Sequence, residues 1–230
     1  MNKLIDASLF FGVAVSLIGY EFGLLLKRKW KLAVFNPLLI AIIFVMMLLS
    51  ICHVDYELYS DGAKYLSYLL TPATVSLAIP LYEQLALLRK YRKAIIAGIA
   101  AGVLASMGSV LAFAVLFRLN HSQYVTLLPK SITTAIGMGV SEELGGVVTI
   151  TVAVIIVTGV LGNMVAERVC KLCRIEEPIA KGVALGTSAH AIGTVRAMEM
   201  GEIEGAMSSL AIAVAGILTA VGASFFAGLY

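Results

Sequence analysis

The chain has 230 residues, 60% of them hydrophobic and 13% charged, with a net charge of +3 and a mean hydropathy of +0.96. Soluble domains average about 45–50% apolar and about 25% charged residues, so this composition excludes a soluble enzyme or a nucleic-acid-binding domain. A crossing needs about 20 apolar residues, which makes residues 1–230 a single integral membrane domain of about seven crossings.

Ala7 to Leu26 is the first expected span. It lacks a small-residue cleavage site and runs straight into Lys27, Arg28, Lys29 and Lys31, which predicts a retained helix and not a removed signal. The positive-inside rule puts that cluster in the cytoplasm and the N-terminus outside, with Trp30 at the interface. Leu32 to Cys52 is the second span, opened by Asn36-Pro37, because proline is tolerated in a first helical turn. The acidic stretch His53 to Lys64 reads as an outer loop.

Tyr65 to Leu88 is the third crossing. Pro72 and Pro80 each remove a backbone donor, so a break is expected near Thr71, with Thr71 capping a helix that has Pro72 at its first position. Arg89, Lys90, Arg92 and Lys93 return the chain to the cytoplasm, and the uncharged, Ala- and Gly-rich run Ala94 to Phe117 predicts a closely packed helix. Leu128 to Gly146 then combines Pro129, Lys130, Ser131, Thr133, Thr134, Ser141, Glu142 and Glu143. A full crossing here would put the later basic loop Arg168–Lys181 outside, so the charge pattern predicts a re-entrant hairpin entering and leaving on the outer side.

Val147 to Val165 is a further span, ending in the cytoplasm at Arg168, Lys171 and Arg174. Gly182 to Gly201 is expected to cross outward as a broken element, and Ala206 to Tyr230 to return, leaving the C-terminus inside. The fold class is therefore all-α: a polytopic membrane protein of about seven transmembrane helices plus one re-entrant hairpin. Cys52, Cys170 and Cys173 give no disulfide framework, and the lone Cys170–Cys173 C-x-x-C has no second pair or nearby histidine. Neither a metal nor a cofactor is expected.

Leu70–Ile79 lies over Leu127–Ile136 with Pro72 on Pro129 and hydroxyls following both. The break at Thr71–Pro80 also precedes the Gly-rich span Ala94–Phe117, as the break at Gly186–Thr194 precedes the Gly-rich span Ala206–Tyr230. This predicts inverted repeat halves, 32–117 and 128–230, with discontinuous helices meeting at mid-membrane, a common plan for secondary transporters.

Gly182 to Gly201 organises the expected site. It sets His190, Arg196 and Glu199 among glycines and hydroxyls between apolar segments, and charges at membrane depth usually face a protein interior or a water-filled cavity. Helix N-termini at breaks suit a carboxylate. The substrate-binding candidates are Thr71, Thr74, Lys130, Ser131, Thr133, Thr134, Thr187, Ser188, His190, Thr194 and Arg196, with Glu142, Glu143 or His190 to carry a coupling proton. Blander readings stand beside these. Lys130 could snorkel to the outer interface, Glu142 and Glu143 could sit in solvent, and Arg196 and Glu199 could neutralise each other at i, i+3. No paired aspartates, H-E-x-x-H or G-x-S-x-G occur, so an enzyme is not expected.

The motifs Leu128-Pro129-Lys130-Ser131-Ile132-Thr133-Thr134, Ser141-Glu142-Glu143-Leu144-Gly145-Gly146 and Gly186 to Thr194, with Thr71-Pro72-Ala73-Thr74, together resemble the LrgB/CidB family over nearly the whole chain. The family often has Pro where Ala135 stands and Ser where Ala189 stands, so one hydroxyl of its pattern is missing here. The resemblance implies a multi-pass bacterial inner-membrane protein, with a small LrgA/CidA-type membrane protein as a partner. It also implies kinship with the LrgB-like part of the plastidal glycolate/glycerate translocator. The leading expectation is a secondary transporter of small organic anions, 2-hydroxy or 2-oxo monocarboxylates such as glycolate, glycerate or pyruvate, working by alternating access. The alternative is a holin-like or antiholin-like regulator of murein hydrolase activity and lysis, acting by oligomerisation. A homodimer in the lipid bilayer is expected either way.

Overall fold

A computed structural model describes residues 10–30 and 35–230, apart from the side chains of Leu70, Thr74 and Leu81. All regular structure among the described residues is helical, as backbone polar groups in lipid require. The chain divides into two compact units, Met1–Ser76 and Leu77–Tyr230.

In the first unit, α1 (Phe11–Trp30) and α2 (Pro37–Cys52) are the apolar helices. The expected starts at Ala7 and Leu32, and Lys31, lie outside the described residues. Asn36 caps α2 as its sequence suggests, its Oδ1 accepting from the N–H groups of Leu38 and Leu39 at 2.9 and 3.2 Å. The stretch read as an outer loop instead forms α3 (Tyr56–Ser67). Acidic Glu57 sits in its first turn and Lys64 in its last, each matched to the helix dipole. Gly62 meets Gly12 of α1 backbone to backbone, which leaves no room for a Cβ at either position. The short α4 (Leu70–Ser76) follows. The chain is broken here as expected, but α4 starts ahead of Thr71, so Thr71 is not its cap and Pro72 is its third residue.

The second unit begins with α5 (Ala78–Glu83) and α6 (Leu85–Phe117). The basic residues Arg89 to Lys93 are part of α6, not a loop, and the helix kinks at Tyr91 (φ −107°, ψ 15°). Beyond the kink Ile95, Ile99, Val103, Met107, Val110 and Ala114 form one buried stripe at helical spacing. The helix stops at Arg118, whose φ of 52° is left-handed.

Next come α7 (His121–Leu127), a tight turn through Pro129–Ile132, and α8 (Thr134–Glu143). They form a hairpin whose two ends meet, since the Ser122 hydroxyl donates to the Gly145 carbonyl at 3.3 Å. It lies at the C-terminal end of α6, so the re-entrant hairpin is present and starts at His121, ahead of the Leu128 expected. Its base is fixed to α9 (Val148–Leu172). There the Thr151 hydroxyl lies 2.7 Å from Ser141 Oγ and 2.9 Å from the Thr126 carbonyl, and Val147 N–H donates to Thr126 Oγ1 at 2.8 Å.

The helical stretch α10 (Pro178–Met200) is two legs, 178–189 and 191–200, joined at His190 with φ 41° and ψ −139°. A straight helix would hold Lys181 and Glu199 about 27 Å apart, yet both line one cavity of about 480 Å³ with Glu167 and Glu204. The second leg runs back along α9: His190 lies on Ile155, Ile192 bonds Asn163, and Arg196 bonds Glu167. Gly182–Gly201 is therefore a second hairpin, entering and leaving on the basic side, and not an outward crossing. A positive φ in the middle of the legs makes the reversal, and Gly193 lets them close up, for a Cβ there would lie 2.9 Å from the Leu185 carbonyl oxygen.

That reversal also moves the C-terminus. The last helix, α11 (Glu202–Ala227), starts at the basic end and runs alongside α6. Tyr230 Oη donates to the Leu119 carbonyl at 2.6 Å, and Tyr124 Oη to the Phe226 carbonyl at 2.8 Å. With the basic ends of α6 and α9 cytoplasmic, Tyr230 is outside, opposite to the expectation from counting crossings. Among the described residues α6, α9 and α11 are long and apolar enough to cross a membrane, and large residues such as Leu104, Leu161 and Phe225 point outward from them, as lipid-facing side chains do. This is a multi-pass membrane protein.

Candidate functional site

Small residues leave a gap in the second unit. Gly98 and Gly102 of α6, Gly162 of α9 and Ala184 of the first leg of α10 face a shared cavity of about 960 Å³. Along α6 its wall runs from Tyr91 to Ser106, about 22 Å at a rise of 1.5 Å per residue. Tyr91 and Glu177 mark its mouth at the basic end, while Ser106, Lys130, Ser131, Thr158, Thr187 and Ser188 supply the polar groups of its inner part. Ser106 lies about midway between Lys93 and Phe117, so the inner end is deep in the membrane.

The turn of the first hairpin carries Lys130 and Ser131 to that inner end. Lys130 Nζ donates to Ser106 Oγ at 3.2 Å and to Ser131 Oγ at 3.1 Å, and the two serine hydroxyls are 2.8 Å apart. Among the described residues no carboxylate lies within ion-pair distance of Lys130. An ammonium has three N–H donors, of which two are used here. The serine pair has two O–H protons, of which their mutual bond uses one. One N–H and one O–H therefore remain for a visitor. The second hairpin adds Thr187, which approaches α6 so closely that a Cβ at Gly102 would sit 3.0 Å from its Oγ1. The Thr187 and Ser188 hydroxyls already donate within their own helix, to the Val183 and Ala184 carbonyls, both at 2.7 Å. They offer an anion no proton in this conformation.

The other expected residues lie elsewhere. His190 is 3% exposed, its Nε2 is 3.0 Å from the Ile155 carbonyl oxygen, and its ring covers Gly159, where a Cβ would be 2.7 Å away. It holds the reversal of the second hairpin and does not line the cavity. Thr194 is 1% exposed and bonds the His190 carbonyl at 3.1 Å and the Ser208 hydroxyl at 2.7 Å, tying the second leg to α11. Arg196 bonds Glu167 at 2.6 Å and also pairs with Glu199, so its charge is matched by carboxylates near the cytoplasmic surface. Glu142 and Glu143 are exposed at the end of α8. Thr133 is the N-terminal boundary of α8 and Thr134 its first residue, both half-buried and neither on the cavity wall. Thr71 belongs to the first unit, where it is exposed. The side chain of Thr74 lies outside the described residues.

The site residues that sequence reasoning missed are Ser106 and Thr158. Both sit inside spans that read as uniformly apolar, and single hydroxyls there are easily satisfied by their own helix. Glu167 was missed as well, for it sits at the start of a basic cluster that reads as an orientation signal.

Comparison with known proteins follows the same outline. The LrgB-like family matches residues 16–229. A protein named antiholin-like protein LrgB from Bacillus mycoides (strain KBAB4) is 38% identical over 213 residues, covering 92% of this chain and 93% of its own. Proteins of the same name from Bacillus cereus (strain B4264) and Bacillus anthracis (strain CDC 684 / NRRL 3495) match to the same extent. No solved structure matches.

Proposed function

This chain belongs to the LrgB-like family, and on that premise we propose that its cavity binds a small organic anion and carries it across the membrane. The observation that carries this reading is Lys130, a cation at membrane depth with hydroxyl partners, no carboxylate within reach among the described residues, and a cavity in front of it. A charge there is costly unless water or a counter-charge meets it. The remaining N–H and O–H suit the two oxygens of one carboxylate, and charge-assisted bonds of this kind are the strong ones. A monocarboxylate such as glycolate, glycerate or pyruvate fits that donor set.

Alternating access has a structural basis in the same reading. The pair α6 and first hairpin (residues 85–146) and the pair α9 and second hairpin (residues 148–200) each consist of a long helix and a hairpin that returns to the end it came from. The pairs start from opposite ends, which is the pattern of an inverted repeat. These pairs offer repeat units with bounds different from the halves 32–117 and 128–230 expected from the sequence. The cavity reaches the basic end at Tyr91 and Glu177, which in this reading is the side a substrate enters from or leaves to.

A second reading is favoured by the relatives' name. Antiholin-like proteins suggest a regulator of lysis that acts through assembly, alone or with a small LrgA-type membrane protein, and the names support this role better than transport of any particular anion. Liposomes containing only this protein separate the two. The transport reading expects saturable uptake of glycolate or pyruvate, and uptake no faster than in protein-free liposomes would leave the regulator reading standing.

A further inference from the structure

The cavity is far larger than the head group its inner end suits, and its polar groups are unevenly placed. Between the mouth and the inner end, the wall includes Ala94, Ile95, Gly98, Ile179, Val183 and Ala184. None of these side chains carries a polar atom. A two- or three-carbon acid bonded at Lys130 would leave this apolar wall without a ligand contact. We propose that the preferred ligand is a monocarboxylate with an unbranched apolar tail of about four to eight carbons, its carboxylate at Lys130 and Ser131 and its tail along the Gly98 side of α6 toward the mouth.

This proposal rests on the anion-binding reading and deepens it. The length available supports it: Ser106 to Ala94 is about 18 Å along the helix at 1.5 Å per residue, enough for the whole tail of such an acid. The glycine pattern supports it too. A Cβ at Gly98 would make only an ordinary contact, 3.4 Å from Val183 Cγ1, so close helix packing does not require glycine there, whereas Gly102 is needed to clear Thr187. At position 98 the missing side chain keeps the channel wide.

Protein in phosphatidylcholine nanodiscs can be titrated calorimetrically with acetate, butyrate, hexanoate and octanoate, with the heats from empty nanodiscs subtracted. Each buried methylene is expected to tighten binding by about threefold to fourfold, so Kd falls steadily from butyrate to octanoate. Lys130→Met removes the signal for every acid. Gly98→Val narrows the channel and stops the gain beyond butyrate. This variant keeps the proposal testable should Lys130→Met fail to insert. A Kd independent of chain length, or one that rises with it, overturns the tail channel and leaves the anion site intact. No binding of any acid overturns the anion site itself. A chain-length gain that survives Gly98→Val or Lys130→Met assigns it to lipid-facing surface and also overturns the proposal.

Discussion

At the turn of the outer hairpin, Lys130 and Ser131 face open space with donors to spare, whereas at the turn of the inner hairpin His190 and Thr194 are sealed and have their polar groups satisfied. Both hairpins are held by hydroxyl bonds to a neighbouring long helix. The difference lies in where the satisfaction is made. The outer hairpin is pinned at its base, by Thr126, Ser141 and Thr151, and the polar groups of its tip bond α6 only through Ser106, which leaves Lys130 and Ser131 with donors to spare. The inner hairpin is pinned along its whole length, by glycines against α11 and by His190 against α9. Polar residues in a membrane mark function by default, but here only one of two similar polar tips keeps donors to spare, and that one faces the cavity.

This contrast can be broken most severely at Gly182. A Cβ there would lie 2.4 Å from the Glu204 carbonyl oxygen, a backbone atom of α11 that cannot move aside cheaply. Gly182→Val is expected to abolish folded protein, read as loss of a monodisperse peak after extraction. A normal yield with an unchanged melting temperature would mean that the inner hairpin is not packed as described.

His190→Ala should come next in size. It removes a buried ring and leaves the Ile155 carbonyl without that donor, a loss on the order of 2–4 kcal/mol, measured by thermal unfolding in detergent. His190→Gln keeps a donor and is expected to recover part of the stability while leaving the pH dependence of uptake as in the wild type. The sequence suggests a titrating His190 at the anion site, and a flattened pH profile in this variant would restore that role.

Thr151→Val is the gentlest and most selective change. It keeps the shape of the side chain and removes the hydroxyl that joins Ser141 to Thr126, at a cost of about 1–2 kcal/mol. Amide exchange should rise across 121–146 and stay unchanged across 178–200. A uniform rise across both would show that the two hairpins are not pinned independently.

Much of this architecture was legible in the sequence. Lys130, set between Pro129 and a run of hydroxyls, marked the first hairpin, and the glycines from 182 to 193 marked the second break, because both patterns are incompatible with an ordinary lipid-facing helix. What the break does was not legible. Whether a helix resumes its direction or reverses depends on a single φ at His190 and on how closely Gly193 allows the legs to pack, and neither is written in a hydropathy pattern. That one undetermined turn reversed the expected side of the C-terminus. The site was partly legible for a similar reason. Polarity pointed to His190 ahead of Lys130 and Arg196, but only packing decides which polar groups are already paired. Ser106, a lone hydroxyl in an apolar helix, acquires meaning only when Lys130 is seen against it.

The most direct measurement is the initial rate of glycolate or pyruvate uptake into proteoliposomes containing wild-type protein, Lys130→Met or His190→Gln at matched insertion. Loss of a charge-assisted bond to the anion should lower uptake by about tenfold to a hundredfold in Lys130→Met, with His190→Gln within about twofold of wild type, because its partner is the α9 backbone. Wild-type rates in Lys130→Met, or collapse of uptake in a well-folded His190→Gln, would contradict the assignment of the anion site to the tip of the outer hairpin.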